Sequence, residues 1–301
     1  MSHVVWTQWD DLVVPAGFTR LSPANFNLDT DDLSKITFYV PTYMSGRKGL
    51  LYSEKMEKLE ILQVPNAGFD DAIEFVRPGM ILCNAKGVHD ASTAELAVGL
   101  TIAVRRGFYD FVRAQDQGKW IHHRYSALND SKIAIIGYGS VGKTIAKYLE
   151  VYDVEITGYS RSGTNGAKKI SNLDEEIHTY DIVILALPLT DESRNMFNRE
   201  RLGRMKDGAL LINVARGPIV DTDALTEELS SRRLFAGIDV TDPEPLPSDH
   251  PLWRAPQCII SPHVGGDSTA FESRGERFVE GQLARLASGM SLENIIPIEI
   301  R

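Results

Sequence analysis

Cysteine is scarce in this chain, with only two among 301 residues. Cys83 and Cys258 lie far apart and each stands beside apolar residues, so we expect two buried free thiols in a reducing compartment rather than a disulfide framework. A basic excess is also missing. The formal net charge is −9, which argues against nucleic acid or an anionic membrane surface as a partner.

Long apolar runs are absent as well. No stretch reaches the ~18–20 apolar residues of a membrane-spanning helix, and the amino-terminal residues lack the pattern of a secretory signal peptide. We therefore expect a cytoplasmic protein. The adjacent pair His122-His123 has no carboxylate or third ligand close in sequence, so no metal site is predicted.

A glycine-rich turn is the most informative feature that is present. Four apolar residues, Ile133–Ile136, predict a strand buried on both faces. They run into Gly137-x-Gly139-x-x-Gly142 and then into residues at helical spacing, which is the context that a dinucleotide-binding turn requires. Gly137 would make the tight turn, Gly139 would let the backbone approach a pyrophosphate, and Gly142 would let the helix pack closely. An ordinary strand-turn-helix without a ligand is the alternative.

The alternation of strands and helices continues through the centre of the chain. Apolar runs at 154–159, 182–187, 210–215, 235–240 and 258–261 are separated by helical segments, which predicts a doubly wound parallel sheet of the Rossmann type. Shorter runs at 4–6, 36–40, 59–64 and 80–83 predict a smaller α/β unit. A long helix from Thr93 to about Gln115 is apolar almost all round and is predicted to be buried. An amphipathic helix is predicted at 268–288.

The end of the second central strand bears on the cofactor. An acidic residue there would bind the ribose hydroxyl of NAD and repel the 2′-phosphate of NADP. The chain instead has Ser160, Arg161 and Ser162, followed by two lysines. A guanidinium pairs a phosphate through two hydrogen bonds, so NADP(H) is favoured and NAD(H) remains possible, with Arg161 then an ordinary surface residue.

Three polar residues follow three of the predicted strands. Arg216 follows the fourth strand, Glu244 the fifth and His263 the sixth. The carboxyl ends of parallel strands share one edge, which also carries the glycine turn. Each residue alone is more often structural; their joint position predicts an acid–base site.

Three blocks of the chain also resemble the signature motifs of the D-isomer-specific 2-hydroxyacid dehydrogenases: Val214-Ala215-Arg216-Gly217, the stretch from Asp239 to Pro247, and Ser261-Pro262-His263-Val264-Gly265-Gly266. The resemblance extends to Gly137–Gly142, Thr93-Ala94-Glu95 and the Asn66–Asp70 turn. It implies a discontinuous, smaller, flavodoxin-like substrate domain (1–94 and 269–301) and a dinucleotide-binding domain (95–268), with the active site in the cleft between them. It also implies a homodimer built largely on the nucleotide domain.

The resemblance implies a role for each matching residue. His263 would be the general acid and base, Glu244 would orient it and favour its protonated form, and Arg216 would bind the substrate carboxylate and polarise the 2-oxo group. The other substrate contacts would come from Asn66, Ala67 and Gly68. The cofactor contacts would come from Gly137, Tyr138, Gly139, Ser140, Val141, Gly142, Ser160, Arg161, Ser162, Leu187, Pro188, Val214, Ala215, Asp239, Thr93 and Gly265, with Thr93 at the nicotinamide and Asp239 at its carboxamide.

The substrate implied by the resemblance is a small 2-oxo acid such as glyoxylate or hydroxypyruvate. Relatives that act on formate pair the histidine with glutamine, so Glu244 argues against formate. Relatives that act on phosphite carry a lysine where this chain has Ala67. The alternative is a dinucleotide-binding sensor, similar to the corepressors of this superfamily, that has lost turnover. A methyltransferase of the same fold would have no use for the three polar residues.

Overall fold

The computed structural model describes residues 2–298. They divide into two compact units. The first unit joins the residues up to His89 with those from Thr269 onward, and the second unit is Asp90–Ser268.

Twelve strands and eight α-helices form within residues 2–298. The strands are β1 (Val4–Trp6), β2 (Thr19–Leu21), β3 (Phe38–Tyr39), β4 (Ile61–Gln63), β5 (Ile81–Cys83), β6 (Lys132–Ile136), β7 (Glu155–Ser160), β8 (Lys168–Lys169), β9 (Ile182–Leu185), β10 (Leu210–Asn213), β11 (Phe235–Ile238) and β12 (Cys258–Ile260). The helices are α1 (Gly46–Leu51), α2 (Asp90–Arg105), α3 (Phe108–Asp116), α4 (Ser140–Leu149), α5 (Leu173–Glu176), α6 (Arg199–Arg204), α7 (Thr222–Ser230) and α8 (Ala270–Ala287). Short 3-10 helices span Leu33–Lys35, Tyr52–Lys55, Asp70–Phe75, Ile170–Asn172, Ile177–Thr179, Gly217–Ile219 and Pro251–Arg254.

The first unit is built on a five-stranded parallel sheet in the order β2-β1-β3-β4-β5. This is the flavodoxin-like strand order, so the predicted smaller α/β unit is confirmed. The strands bury both faces, since Trp6, Tyr39 and Leu62 belong to one apolar cluster while Val5, Phe38 and Ile61 belong to another. Helix α8 packs into the second of these clusters through Phe271, Val279 and Leu283.

The second unit is built on a seven-stranded parallel sheet in the order β12-β11-β10-β9-β6-β7-β8. Strand β6 pairs with β7 on one side and with β9 on the other. The order therefore reverses beside β6, which is the point where doubly wound sheets bind their ligands. The predicted Rossmann fold is confirmed, and the glycine turn follows the strand at the reversal.

The residues of β6 pack alternately against two apolar clusters, which explains why the sequence of this strand is a continuous apolar run. Ile133 and Ile135 lie in the cluster that also contains side chains of α2 and α4. Ala134 and Ile136 lie in the cluster on the opposite face of the sheet. Helices cover both faces, so every position from Ile133 to Ile136 is apolar.

The predicted continuous helix from Thr93 to about Gln115 is wrong. Helix α2 ends at Arg105 and α3 begins at Phe108, because Gly107 adopts a left-handed φ of 72° that a helix does not continue. A Cβ at Gly107 would lie 2.1 Å from the Tyr125 ring. The predicted burial all round is also wrong for α2, since Glu95 and Gly99 are exposed.

Both cysteines are free and buried. Burial raises the pKa of each thiol, Cys83 and Cys258, to about 12, so neither is a reactive thiolate. Within residues 2–298, helices that are both long and apolar enough to span a membrane are absent.

Candidate active site

The glycine turn begins with a residue that must be glycine. Gly137 has a φ of 96°, and a Cβ there would lie 2.3 Å from the Ala186 carbonyl oxygen. The N–H groups of Gly137 and Tyr138 both donate to the Tyr159 carbonyl, at 2.9 and 3.0 Å. The chain thus reverses tightly from β6 into α4, held between the ends of β7 and β9.

The amino end of α4 fits a bound pyrophosphate. Gly139 is the N-cap residue and provides no side-chain cap, so the first-turn N–H groups have no intrahelical partner. A Cβ added at Gly139 would meet nothing within 4 Å, whereas one at Gly142 would lie 2.2 Å from the Gly137 carbonyl oxygen. Open space above a helix N-terminus together with tight packing beneath it is the arrangement that accommodates phosphate groups.

A carboxylate lies beside this turn. The Ser140 hydroxyl donates to Oδ2 of Asp90, the first residue of α2. This contact fixes the amino ends of α2 and α4 to each other. It also engages the side chain of one residue that the sequence assigned to cofactor binding.

The end of β7 presents the serines and arginine expected there. Ser160 is the last residue of the strand, and its hydroxyl accepts a hydrogen bond from the Gly163 N–H at 3.1 Å. Arg161 is highly exposed and lies 3.7 Å from a Glu192 oxygen. Lys168, which the sequence suggested as further positive charge, instead donates to both carboxylate oxygens of Glu176.

The ends of β9 and β10 lie next to the turn. A Cβ on Gly137 would approach Leu187 N to 2.7 Å, which places Leu187 and Pro188 beside it. Val214 and Ala215 are nearly buried, and the Ala215 N–H donates to the Asn213 side-chain oxygen at 3.0 Å.

Asn213 also positions the backbone of Arg216, the residue with the cationic side chain predicted for the site. It is 1% exposed, and its amide donates to the Arg216 carbonyl at 3.1 Å. The Arg216 guanidinium donates to the Ala215 carbonyl at 2.8 Å. The Arg216 side chain therefore folds back toward the backbone that follows β10.

Asp239 anchors the loop that carries His263. The carboxylate is 3% exposed and accepts hydrogen bonds from the Ser261 hydroxyl at 2.6 Å, the Val264 N–H at 2.9 Å and the Gly265 N–H at 2.8 Å. The Asp239 carbonyl also accepts from the His263 N–H at 2.8 Å. A buried carboxylate satisfied in this way holds the loop in one conformation.

Thr93 belongs to the same cluster. A Cβ added at Gly265 would lie 2.9 Å from an Asp239 carboxylate oxygen and 3.6 Å from Thr93 Cγ2. Thr93 and Asp239, which were assigned to the nicotinamide end of the cofactor, are therefore adjacent to Gly265, another predicted cofactor residue, in the second unit.

His263 and Glu244 form a direct pair. Nδ1 of His263 lies 2.6 Å from Oε1 of Glu244, and because a carboxylate only accepts, that nitrogen carries a proton. The hydrogen bond from His263 holds the pKa of Glu244 below its usual range, and the nearby Arg216 charge lowers that pKa further. The three residues that follow β10, β11 and β12 are thus brought together.

The backbone at His263 is strained. Its φ of 54° lies in the left-handed region, which is uncommon for residues other than glycine, although histidine adopts it more often than most. Strain of this kind persists where the surroundings over-determine it, as at functional sites; here Asp239 holds the backbone and Glu244 the ring.

The turn assigned to the substrate belongs to the first unit. Asn66, Ala67 and Gly68 follow β4 and are half-buried. The Asn66 carbonyl accepts from the Ala85 N–H at 2.8 Å, and the Ala67 carbonyl accepts from the Asn84 amide at 2.6 Å. Nothing in the sequence drew attention to Asn84, although its place directly after β5 is the kind of position that carries site residues.

Several supporting residues were not predicted: Asn84, Asp90, Asn213 and Ser261. Each forms its contact with a residue distant in the sequence or across a turn, so no local pattern marks the contact. Among the described residues, groups of three or more His, Cys, Asp and Glu able to hold a metal ion are absent, and the His122-His123 pair is exposed.

Comparison with known proteins gives a family match over most of the second unit. Residues 98–265 match the family model described as D-isomer specific 2-hydroxyacid dehydrogenase, NAD binding domain. A glyoxylate reductase of Thermofilum pendens is 33% identical over 231 residues, covering 72% of this chain and 68% of the relative.

Solved structures share the fold over nearly the whole length. The NAD-dependent formate dehydrogenase of Staphylococcus aureus, in complex with NAD, has a TM-score of 0.74 at 25% identity and covers 99% of this chain and 100% of its own. The NADPH-dependent glyoxylate/hydroxypyruvate reductase of Sinorhizobium meliloti, in complex with NADP and sulfate, has a TM-score of 0.81 at 23% identity with 98% of each chain covered.

Proposed function

The chain belongs to the family of D-isomer specific 2-hydroxyacid dehydrogenases, and from this membership we propose that it reduces a small 2-oxo acid of the glyoxylate or hydroxypyruvate type to the D-2-hydroxy acid with NADPH. The observation that carries the proposal is the His263–Glu244 pair at 2.6 Å, with Arg216 close enough to lower the pKa of Glu244. An acid, its orienting carboxylate and a cation at one sheet edge are the groups that carbonyl reduction requires.

The cofactor of an enzyme of this family is a nicotinamide dinucleotide, which supplies a hydride when bound. The residues that would hold its pyrophosphate are Gly139 to Gly142, at the uncapped end of α4. Thr93, Asp239 and Gly265 would hold the nicotinamide end. Leu187, Pro188, Val214 and Ala215 would line the space between.

His263 would deliver the proton. Its Nδ1 is engaged with Glu244, so Nε2 is the ring nitrogen that would donate to the carbonyl oxygen of the substrate. The Glu244 carboxylate fixes the orientation of the ring, so that Nε2 is the nitrogen left to face the substrate. In the reverse direction the same nitrogen would accept the proton.

Arg216 would neutralise the substrate. A guanidinium binds a carboxylate through two parallel hydrogen bonds and stabilises negative charge that develops on a neighbouring oxygen. We propose that the backbone N–H groups of Ala67 and Gly68, with the Asn66 side chain, bind the same carboxylate. Within residues 2–298, these two N–H groups donate to no backbone or side-chain acceptor, which supports the assignment.

The preference for NADPH rests on Arg161. The end of β7 carries no carboxylate, and Arg161 is exposed and paired only loosely, at 3.7 Å, with Glu192. Truncation to Ala should raise the KM for NADPH roughly 10- to 100-fold, the value of a lost charge-assisted bond, and leave the KM for NADH within about twofold. Equal changes for both cofactors would contradict the role of Arg161.

The assembly and domain roles belong to the same proposal. We propose that the first unit forms the substrate domain, that the second unit, from Asp90 to Ser268, forms the dinucleotide-binding domain, and that the protein is a cytoplasmic homodimer. Exposed apolar side chains on α3 and just after it support a dimer surface: Phe108 (47%), Phe111 (39%), Val112 (60%) and Trp120 (98%). The rings of Phe108 and Phe111 lie 6.1 Å apart, and exposed apolar side chains that lie together mark an interaction site.

Sedimentation velocity tests the dimer. Wild type should sediment at twice the mass of one chain, and Val112→Glu should sediment at the mass of one. Val151→Glu is the matched control, because Val151 is 82% exposed and lies outside α3. A wild-type protein that sediments as a single chain would contradict the dimer.

His263→Ala tests the reaction. Turnover of glyoxylate with NADPH should fall by about 100-fold or more, the usual contribution of a general acid. The affinity for NADPH, measured by fluorescence titration, should stay within about twofold. His178→Ala, at an exposed position of the second unit, is the control. Normal turnover in His263→Ala would refute the acid–base assignment.

A further inference from the structure

We propose that Asn84 and His89 are positioning residues for the proposed substrate turn, and that they set its affinity for the carboxylate of the 2-oxo acid. The inference rests on the proposed function, since it names residues that act through the Asn66–Gly68 turn. All of the residues concerned lie in the first unit.

Three successive carbonyl groups at the turn are bound by the segment that follows β5. The Pro65 carbonyl lies 2.7 Å from Nε2 of His89. The Asn66 carbonyl accepts from the Ala85 N–H at 2.8 Å, and the Ala67 carbonyl accepts from the Asn84 amide at 2.6 Å. Residues 84–89 therefore form a clamp on one side of the turn.

The clamp determines which backbone groups of the turn point away from residues 84–89. With the carbonyl oxygens of residues 65–67 directed to the clamp, the peptide planes turn the N–H groups of Ala67 and Gly68 away from it. Successive N–H groups that point into one space form a site for an anion. A carboxylate is an anion of the right size, and the clamp would hold the turn in this conformation before substrate binds.

His89 is itself held firmly. It is 5% exposed, and its ring stacks near-parallel to those of Tyr43 and Phe271, with both centroid separations at 5.2 Å. Because a carbonyl oxygen only accepts, Nε2 of His89 carries the proton in this contact. Asn84 is 6% exposed, so both donors act where water does not compete and an unmade hydrogen bond is costly.

The variants distinguish the effect of losing the hydrogen bond from the effect of losing side-chain packing. His89→Phe keeps an aromatic ring for the stack but removes the donor, and His89→Gln restores a donor on a side chain of similar reach. Asn84→Asp keeps the shape and places an acceptor against the Ala67 carbonyl. Gln282→Leu is the control, because Gln282 is a 1% exposed polar residue of the same unit that bonds to Gln63 and to residue 293.

Two readouts are measured on the full-length protein: steady-state kinetics with glyoxylate and NADPH, and the Kd of oxalate by calorimetry with NADP⁺ present. His89→Phe and Asn84→Asp should raise the KM for glyoxylate and the Kd of oxalate by roughly tenfold, the value of one buried hydrogen bond. The kcat and the KM for NADPH should stay within about twofold. His89→Gln should recover most of the loss, and Gln282→Leu should change only thermal stability.

The outcomes distinguish the two levels of the proposal. An active wild type whose KM and oxalate Kd are unchanged in His89→Phe and Asn84→Asp would overturn the positioning role and leave the proposed function intact. Parallel losses in the control variant would also overturn it, because they would show a general effect of destabilising the first unit. A wild type that neither reduces 2-oxo acids nor binds oxalate would refute the proposed function, and this inference with it.

Discussion

Replacing Glu244 by Gln removes one charge from the pair and little else. The amide oxygen of Gln still accepts from Nδ1 of His263, so the ring keeps its orientation. What is lost is the charge assistance in a hydrogen bond that measures 2.6 Å. Glu244→Ala removes the acceptor as well, so the two variants separate charge from orientation.

The size of the loss follows from the geometry. A hydrogen bond to a charged group is worth about 1.5–3 kcal/mol and a neutral one about 0.5–1.5 kcal/mol. The His263 and Glu244 side chains are 36% and 41% exposed, so solvent screening places the difference at the low end, about 1–1.5 kcal/mol. This corresponds to roughly a tenfold fall in kcat/KM for Glu244→Gln. Glu244→Ala should lose about 100-fold.

The assay is kcat/KM for glyoxylate with NADPH as a function of pH. The hydrogen bond from His263 lowers the pKa of Glu244 from its ordinary value of 4.5, so the carboxylate stays ionised as the pH falls toward that value. The advantage of wild type over Glu244→Gln should therefore persist at about pH 5, where the carboxylate is still ionised, and disappear only below the ordinary carboxyl range.

Asp249→Asn is the control for charge alone, because Asp249 is an exposed acid of the same loop; it should stay within about twofold of wild type. A ratio near one for Glu244→Gln at every pH would refute the role given to the carboxylate. A titration midpoint at or above 4.5 for the Glu244 carboxyl, followed by its ¹³C chemical shift, would refute the lowered pKa.

Two further predictions concern packing and stability. Gly142→Ala should lower the free energy of unfolding by about 1–3 kcal/mol, because the new Cβ would lie 2.2 Å from the Gly137 carbonyl oxygen. The same variant should weaken NADPH binding. Gly139→Ala should weaken NADPH binding and leave the free energy of unfolding unchanged. Calorimetric unfolding and NADPH titration check both, and a stability loss in Gly139→Ala would count against the open site. Asp174→Asn should cost about 1 kcal/mol at neutral pH, since Arg201 binds that carboxylate at 2.7 and 2.8 Å at a partly exposed site. This bond lowers the pKa of Asp174, so the stability is present above the ordinary carboxyl range and disappears as pH falls through the lowered pKa; a difference that persists in strong acid would contradict it.

The sequence revealed most clearly the strands that are buried on both faces. Residues 133–136, 182–185 and 210–212 are apolar because helices cover both sides of the sheet, and apolar runs of this kind can be recognised from the sequence. Strands β2 and β8 escaped notice for the opposite reason: they lie at the sheet edges and consist of Thr-Arg-Leu and Lys-Lys. Polar edge strands protect a sheet from further pairing but leave no apolar pattern.

The site residues at strand ends could be predicted from the sequence, whereas the residues that hold them in position could not. Arg216, Glu244 and His263 follow strands whose order fixes a common edge, so topology alone brings them together. Asn213 and Asn84 act through hydrogen bonds to the backbone of a turn, and a single polar residue carries no sign of which carbonyl it will meet. The break at Gly107 was missed because a glycine in an apolar run does not by itself show whether the helix continues; here Gly107 adopts a left-handed φ.

The most direct test of the account is the reduction of hydroxypyruvate by the purified protein with NADPH and with NADH, followed by the chirality of the glycerate formed. The account predicts rapid oxidation of NADPH, slower oxidation of NADH and the D-isomer as product. Oxidation of neither cofactor with hydroxypyruvate, glyoxylate or a wider set of 2-oxo acids, by a protein that still binds NADPH, would contradict it and favour a dinucleotide sensor.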